Sequence, residues 1–388
     1  MRATAFTNIG QLVTNSPQAG SDQLGLVERA AFIVQEGRIA WFGAESALPE
    51  ADECIELGGA TVIPGFVDSH AHPIFAGDRA EEFAARMAGQ PYTGGGIRTT
   101  VAKTRAATKS ELTRNLDHLV AEFHAQGVTT FEAKSGYGLT AADELRSLEI
   151  AATRTTEVTL LGAHVVPEEY AQRPDDYVDL VIAEMIPAAA GLAKWIDVFC
   201  DQGAFDVEQA RRILVAGKAV GLQPRIHANQ LTRSGAIQLA VELDCASADH
   251  CTHMNQTDID ALAGSQTVAT LLPGAEFSTR SSYPAARALL DAGATVALAT
   301  DCNPGSSYTT SMSFCVALAV REMHMSPAEA LWAATSGGAK ALRRSDIGHL
   351  GVGARADFAV LNAPNYIHLA YRPGVNPVSS TYSEGRKL

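Results

Sequence analysis

Paired cysteines are missing from this chain. Its six cysteines, Cys54, Cys200, Cys245, Cys251, Cys302 and Cys315, are scattered without a C-x-x-C spacing, which excludes a zinc ribbon and a dithiol redox motif. Buried free thiols are the expectation. Long apolar runs are missing too: none approaches the ~18 residues of a spanning helix. The first ten residues lack the charged, then apolar, layout of a secretory signal, so a cytoplasmic protein without membrane association is expected. Positive charge is scarce, with 30 Lys+Arg against 43 Asp+Glu and a formal charge of -13. Such a balance repels phosphate backbones at long range and argues against nucleic acid as a partner. No repeat or low-complexity segment stands out. The cluster Gly94-Gly95-Gly96 follows no strand and lacks phosphate-loop spacing, so a plain loop is expected there.

What is present is material for a large core: 388 residues, 46% of them hydrophobic and 19% charged, an ordinary globular composition. Short apolar runs recur with amphipathic stretches between them, the alternation of a parallel sheet. Eight candidate strands emerge, at 61–68, 128–133, 158–165, 195–200, 223–228, 245–250, 267–272 and 295–301. Eight is the number of the (β/α)8 barrel, which takes about 250 residues in one piece. The stretch 110–126 places Leu112, Leu116, Leu119, Val120 and Phe123 on one side, with Ser110 as cap and Gly127 as stop. A later helix is signalled by Ser326 and Pro327. The first 60 residues carry short strand-like runs at 25–27, 31–34 and 38–43, and the tail resumes that style at 356–361. The expected architecture is a TIM-like barrel over 61–347, with a small β-sandwich domain from 1–60 and 348–388.

His70 and His72, two residues apart at the end of the first expected strand, project to one face and can grip one ion. Alone, such a pair is a weak signal. Position strengthens it, because His164, His227, His250 and Asp301 fall at the C-terminal ends of four further strands, the end where barrel enzymes work. His118, His124 and His324 fall instead on helical stretches. Imidazoles and a carboxylate, here His70, His72, His227 and Asp301, suit zinc, or iron as second choice, with a position left for water. A metal lowers the pKa of that water to ~7. His250 or Asp301 could take its proton and deliver it to a leaving nitrogen, and the sequence leaves that choice open.

The run Ile63-Pro64-Gly65-Phe66-Val67-Asp68-Ser69-His70-Ala71-His72 resembles the first-strand signature of the amidohydrolase superfamily. The segments 132–138 (Glu132 to Gly138), 161–164 (Leu161 to His164), 247–250 (Ser247 to His250) and 299–305 (Ala299 to Gly305) resemble the imidazolonepropionase family within it. These motifs run in order through nearly the whole barrel. The resemblance implies hydrolysis of 4-imidazolone-5-propanoate to N-formimino-glutamate in histidine breakdown, with one zinc or iron. It also implies His70, His72, His227 and Asp301 as ligands. Arg79, Tyr137, His164 and Gln230 would contact substrate, and Asn303, Gly305 and Ser306 would form the loop around the product's amino-acid end. The chemistry is coherent: a propanoate needs a cation, and Arg79 offers a planar two-point donor, while Tyr137 and His164 can bond the ring or polarise its carbonyl.

Two departures are informative. The fourth strand ends Phe199-Cys200-Asp201, without the modified lysine that bridges two metals in some relatives, so one metal is expected. Related deaminases place a glutamate three residues after the fifth-strand histidine, whereas this chain has Gln230, and an amide cannot shuttle a proton. Asn229 also stands where the family is expected to carry aspartate. A hydrolase or deaminase of another cyclic amide or amidine is the alternative activity, and a catalytically silent barrel used for binding is the alternative class. A small molecule is the expected partner, and a homodimer is admitted as the assembly.

Overall fold

The computed structural model describes residues 2–20, 22–90 and 96–388, so Gly94 and Gly95 of the expected loop lie outside the described residues. Eight parallel strands lie in spatial order as in sequence order: Phe66–Asp68, Val128–Lys134, Glu157–Ala163, Trp195–Cys200, Ile226–Ala228, Ser247–His250, Val268–Leu271 and Val296–Leu298. Backbone bonds beyond the ends of the last and first close the ring. Asp301 N–H donates to His70 O (3.0 Å), and His72 N–H to Cys302 O (3.0 Å). The strands are buried almost throughout, as strands covered on both faces must be.

The first strand differs instructively from the expectation. Residues 61–64 finish a longer strand, Glu53–Pro64, of another sheet, and the barrel begins only at Phe66. Gly65 makes the changeover, where an added Cβ would lie 2.3 Å from Thr129 Oγ1.

That other sheet has seven strands drawn from both chain ends. Across it run Arg386–Lys387, Val378–Ser383, Phe358–Leu361, Glu53–Pro64, Ala3–Val13, Leu26–Gln35 and Arg38–Ala44. Only Ala3–Val13 with Glu53–Pro64 pairs parallel. Phe6, Phe32, Phe358 and Tyr382 pack its core in stacked and edge-on pairs, as the ring quadrupoles favour. The runs expected at 25–27 and 31–34 are one strand, continuous through Arg29 at φ 48°. Ala3–Val13 escapes a search for alternation because its register shifts between Phe6 and Ile9, with Asn8 at φ 53°.

The helix expected at 110–126 is Lys109–Ala125, and Thr108 rather than Ser110 caps it. Thr108 Oγ1 accepts from Glu111 N–H (3.2 Å) while the Glu111 carboxylate accepts from Thr108 N–H (2.8 Å); this reciprocal pair satisfies two donors at once. Leu112, Leu116, Leu119 and Phe123 are buried, and Gly127 ends the helix at φ 88°. Ser326 caps Pro327–Trp332 as its spacing indicates. That helix widens into a π turn, Ala333–Gly337, and continues as Gly338–Ala341. Its glycines lie flat on the barrel: a Cβ on Gly337 would sit 2.3 Å from Val296 O, and one on Gly338 2.2 Å from Val67 O. Five cysteines are buried free thiols, whereas Cys54, on the small sheet, is exposed and so departs from the expectation. Among the described residues no helix is long and apolar enough to cross a membrane.

Candidate active site

The strand ends bring His70, His72, His227, His250 and Asp301 to one point at the C-terminal mouth of the barrel. His72 Nε2 lies 3.2 Å from His70 Nε2 and 3.3 Å from His227 Nε2. Asp301 Oδ1 lies 3.5 Å from His70 Nε2 and 3.4 Å from His72 Nε2. His70, His250 and Asp301 also present atoms within 4.8 Å of one another.

Carboxylates behind the ring fix which nitrogens face inward. His70 Nδ1 is 2.7 Å from Asp249 Oδ2, and His227 Nδ1 is 3.1 Å from Asp197 Oδ1. A carboxylate only accepts, so each Nδ1 carries a proton and each Nε2 faces the centre, where it can present a lone pair to a cation. Facing lone pairs repel unless a cation lies among them. Burial and Lys134 oppose charge on His70, yet Asp249 and Asp301 outweigh both and lift its pKa to about 9, so with no cation at the centre its Nε2 also holds a proton, which a bound cation would displace. The centre thus attracts positive charge.

Beneath it lies a sealed ionic network. Lys134 Nζ reaches Glu132 (2.9 Å) and Asp197 (2.7 Å), and Arg225 reaches Glu132 (3.3 Å) and Asp249 (3.8 Å). All five side chains are fully buried. With Asp301 added, four carboxylates face two permanent cations, and one divalent ion taking the place of the His70 proton balances the set. Donor types, inward lone pairs and charge therefore all fit a divalent metal at His70, His72, His227 and Asp301.

Above the centre opens a cavity of ≈ 310 Å³, lined among others by Arg79, Tyr137, His164, Phe199, Gln230, Asn303 and Ser306. The His164 ring stacks on His72 with centroids 5.2 Å apart, and its Nδ1 sits 3.0 Å from Gly136 O. Burial, with His227 nearby, pulls its pKa down to about 3. A carbonyl only accepts, so neutral His164 carries its proton on Nδ1 and offers a lone pair at Nε2. Tyr137 is buried beside it, ring centroids 5.3 Å apart. Arg79 is held by Glu82 through Nε and Nη2, both at 2.7 Å. The loop after Asp301 is tied internally: Asn303 Oδ1 accepts from Gly305 N–H and Ser306 N–H (2.8 Å each), and Ser306 Oγ donates to Asp301 Oδ2 (3.2 Å). Gly305 is not among the residues lining this cavity. It backs Arg79, since a Cβ there would lie 2.2 Å from Arg79 Nη1.

Several contributors escape inspection of the sequence. Asp197 and Asp249 orient His227 and His70, and Lys134 and Arg225 pair with those two carboxylates and with Glu132. The available signal was a charged residue inside an apolar strand, as in Trp195-Ile196-Asp197-Val198, where burial demands a partner.

The backbone is strained at this mouth. Asn229, His250, Cys251 and Asp301 all have φ between 52° and 75°, a conformation costing non-glycine residues roughly 1–3 kcal/mol each. Asn229, whose type departed from expectation, uses both ends of its amide: Nδ2 donates to His253 O (2.9 Å) and Oδ1 accepts from Ser234 N–H (3.2 Å). An aspartate could not make the first bond.

Residues 92–386 match the model of the "Amidohydrolase family". The chain is 62% identical over 385 residues to the imidazolonepropionase of Mycolicibacterium smegmatis, covering 99% of this chain and 97% of the relative. It is 61% identical over 387 residues to that of Salinispora tropica, covering 99% and 98%. Among solved structures, a triazine hydrolase variant matches with TM-score 0.76 at 17% identity, covering 100% of this chain and 95% of that one. Guanine deaminase from C. acetobutylicum matches with TM-score 0.74 at 15% identity, covering all of both. These two share the fold. On identity and coverage against curated relatives, the chain belongs to the imidazolonepropionase family of amidohydrolases.

Proposed function

We propose that this chain hydrolyses 4-imidazolone-5-propanoate to N-formimino-L-glutamate in histidine degradation, with one zinc or iron ion held by His70, His72, His227 and Asp301. The observation that carries the reading is three imidazole nitrogens and one carboxylate converging beneath a cavity whose wall holds an arginine. When bound, a divalent ion lowers the pKa of a water to ~7 and supplies hydroxide.

The chain's own groups do the rest. Asp301 turns Oδ1 to the centre while Ser306 engages Oδ2, which leaves His250 as the better placed proton acceptor. Burial holds its pKa well below the usual histidine value, so the ring is neutral, and its buried Nδ1 has no hydrogen-bond partner among the described residues. It takes up a proton and returns it to the departing ring nitrogen. His164, with its lone pair at Nε2, accepts an N–H of the imidazolone ring. Carbonyl polarisation does not suit that tautomer. Arg79, oriented by Glu82, pairs with the propanoate, and Tyr137, Gln230, Asn303 and Ser306 supply polar contacts. Gly305 serves by lacking a side chain where Arg79 must lie.

Gln230 favours hydrolysis over deamination, since its amide relays no proton. Pure, metal-loaded protein incubated with imidazolone propanoate, and in parallel with purines and pyrimidines, separates the two activities. Loss of imidazolone without ammonia from the bases supports the reading, and the reverse pattern sinks it. The barrel from Phe66 to residue 347 is the proposed catalytic domain, beside a small domain of 1–64 and 348–388. A cytoplasmic homodimer is the proposed state, which light scattering on the purified protein checks for its assembly.

A further inference from the structure

The residue that departs from the family's expected aspartate sits in a set of bonds that converge on the turn after His250. His250 and Cys251 are consecutive residues with positive φ, 75° and 54°. L-residues adopt that conformation in succession only where neighbours enforce it. The enforcement is visible on both sides of the turn. Towards the fifth strand, Cys251 N–H donates to Ala228 O (3.0 Å) and His253 N–H to Asn229 O (2.9 Å). The Asn229 side chain adds Nδ2 to His253 O (2.9 Å) and is itself fixed by Ser234 N–H. Ser234 Oγ in turn donates to Cys200 O (2.9 Å) at the end of the fourth strand. Towards the seventh strand, Thr252 Oγ1 donates to the buried carboxyl of Glu276 (2.7 Å), on the helix Pro273–Thr279. The segment from His250 to His253 is thereby pinned to the end of the fifth strand and to the helix after the seventh, and through Ser234 to the end of the fourth.

We infer that Asn229 is a positioning residue for the proposed reaction: its amide, together with the Thr252–Glu276 bond, locks the left-handed pair His250–Cys251 and so aims the His250 imidazole at the reacting water. The inference rests on the reading of His250 as proton acceptor. In this chain the amide supplies the donor that the bond to His253 O needs, and a carboxylate at 229 would face that carbonyl oxygen and repel it unless the turn moved.

The test is Asn229→Asp, with Thr252→Val as a second variant that changes no charge and stands in if the first does not fold. For each, kcat, KM and bound metal are measured on zinc-loaded enzyme. Histidine-selective 15N NMR is recorded in parallel, with the His250 signals assigned by their loss in His250→Gln. The expected result is a kcat lower by about 10- to 100-fold, KM within about twofold, metal retained, and displacement of the His250 ring signals with those of His70, His72 and His227 unmoved. Unchanged kcat and unmoved His250 signals overturn the inference. So does a loss of activity that tracks loss of metal, because Asn229 would then serve the ligand His227. If the parent enzyme fails to hydrolyse imidazolone propanoate, the functional reading fails, yet the NMR arm still decides whether Asn229 positions His250.

Discussion

At the scale of single residues, the centre was half legible. His70, His72, His227 and Asp301 stand at strand ends, where a polar residue has few structural uses, so position announced them. Asp197 and Asp249 did not announce themselves: an acid inside a strand acquires meaning only when barrel closure sets an imidazole beside it at 2.7–3.1 Å. The same limit applies to Arg79, whose pairing with Glu82 three residues on is local but whose seat against Gly305 is not. Two outcomes follow at this scale. Asp301→Ala should abolish turnover and weaken metal retention, and an active variant with full metal content would contradict its place as ligand. Arg79→Ala should act mainly on substrate binding, raising KM with a smaller change in kcat; steady-state kinetics that leave KM unchanged would remove its carboxylate role.

Among elements, periodicity located the barrel strands and the larger helices, since burial on one or both faces writes itself into the sequence. Ends were less legible. Thr108 and Ser110 are both good caps by type, and only the reciprocal bond with Glu111 decides for Thr108. The run 61–68 reads as one mostly apolar stretch, and only its Pro64-Gly65 dipeptide, a break signal, marks the passage between sheets. Close approach at Gly337 and Gly338 is not visible in the sequence, yet it seats the helix Gly338–Ala341 on the first and eighth strands. Gly338→Ala gains helix propensity but drives a methyl into Val67 O. The clash should win, lowering stability by about 1–3 kcal/mol, and urea unfolding that shows a gain would mean the helix is free to shift.

The whole molecule couples its stability to its chemistry through buried charge. Lys134 joins carboxylates from the second and fourth strands, and Arg225 spans the second and sixth. Lys134→Met leaves those carboxylates uncompensated and should cost about 3–5 kcal/mol, visible as a lower unfolding midpoint even with metal present. Glu276 gives the molecule a pH dependence of defined sign. Burial pushes its carboxyl up to about 8 from an ordinary 4.5, so the folded state binds the proton more tightly than the unfolded one. That contribution is complete below about pH 4.5 and is lost as pH rises through about 8. Glu276→Gln, which keeps an acceptor for Thr252, should therefore gain stability over the parent as pH is raised from about 5 to about 9, and a constant difference across that range would contradict the assignment. The central claim is a single divalent ion at the barrel mouth, balancing the charge of the network beneath it. Titrating metal-stripped protein with zinc or iron while following imidazolone propanoate hydrolysis tests that claim most directly. The account predicts no turnover at the start and a linear rise that breaks at one ion per chain, and full turnover before any addition, or a break at two, would contradict it.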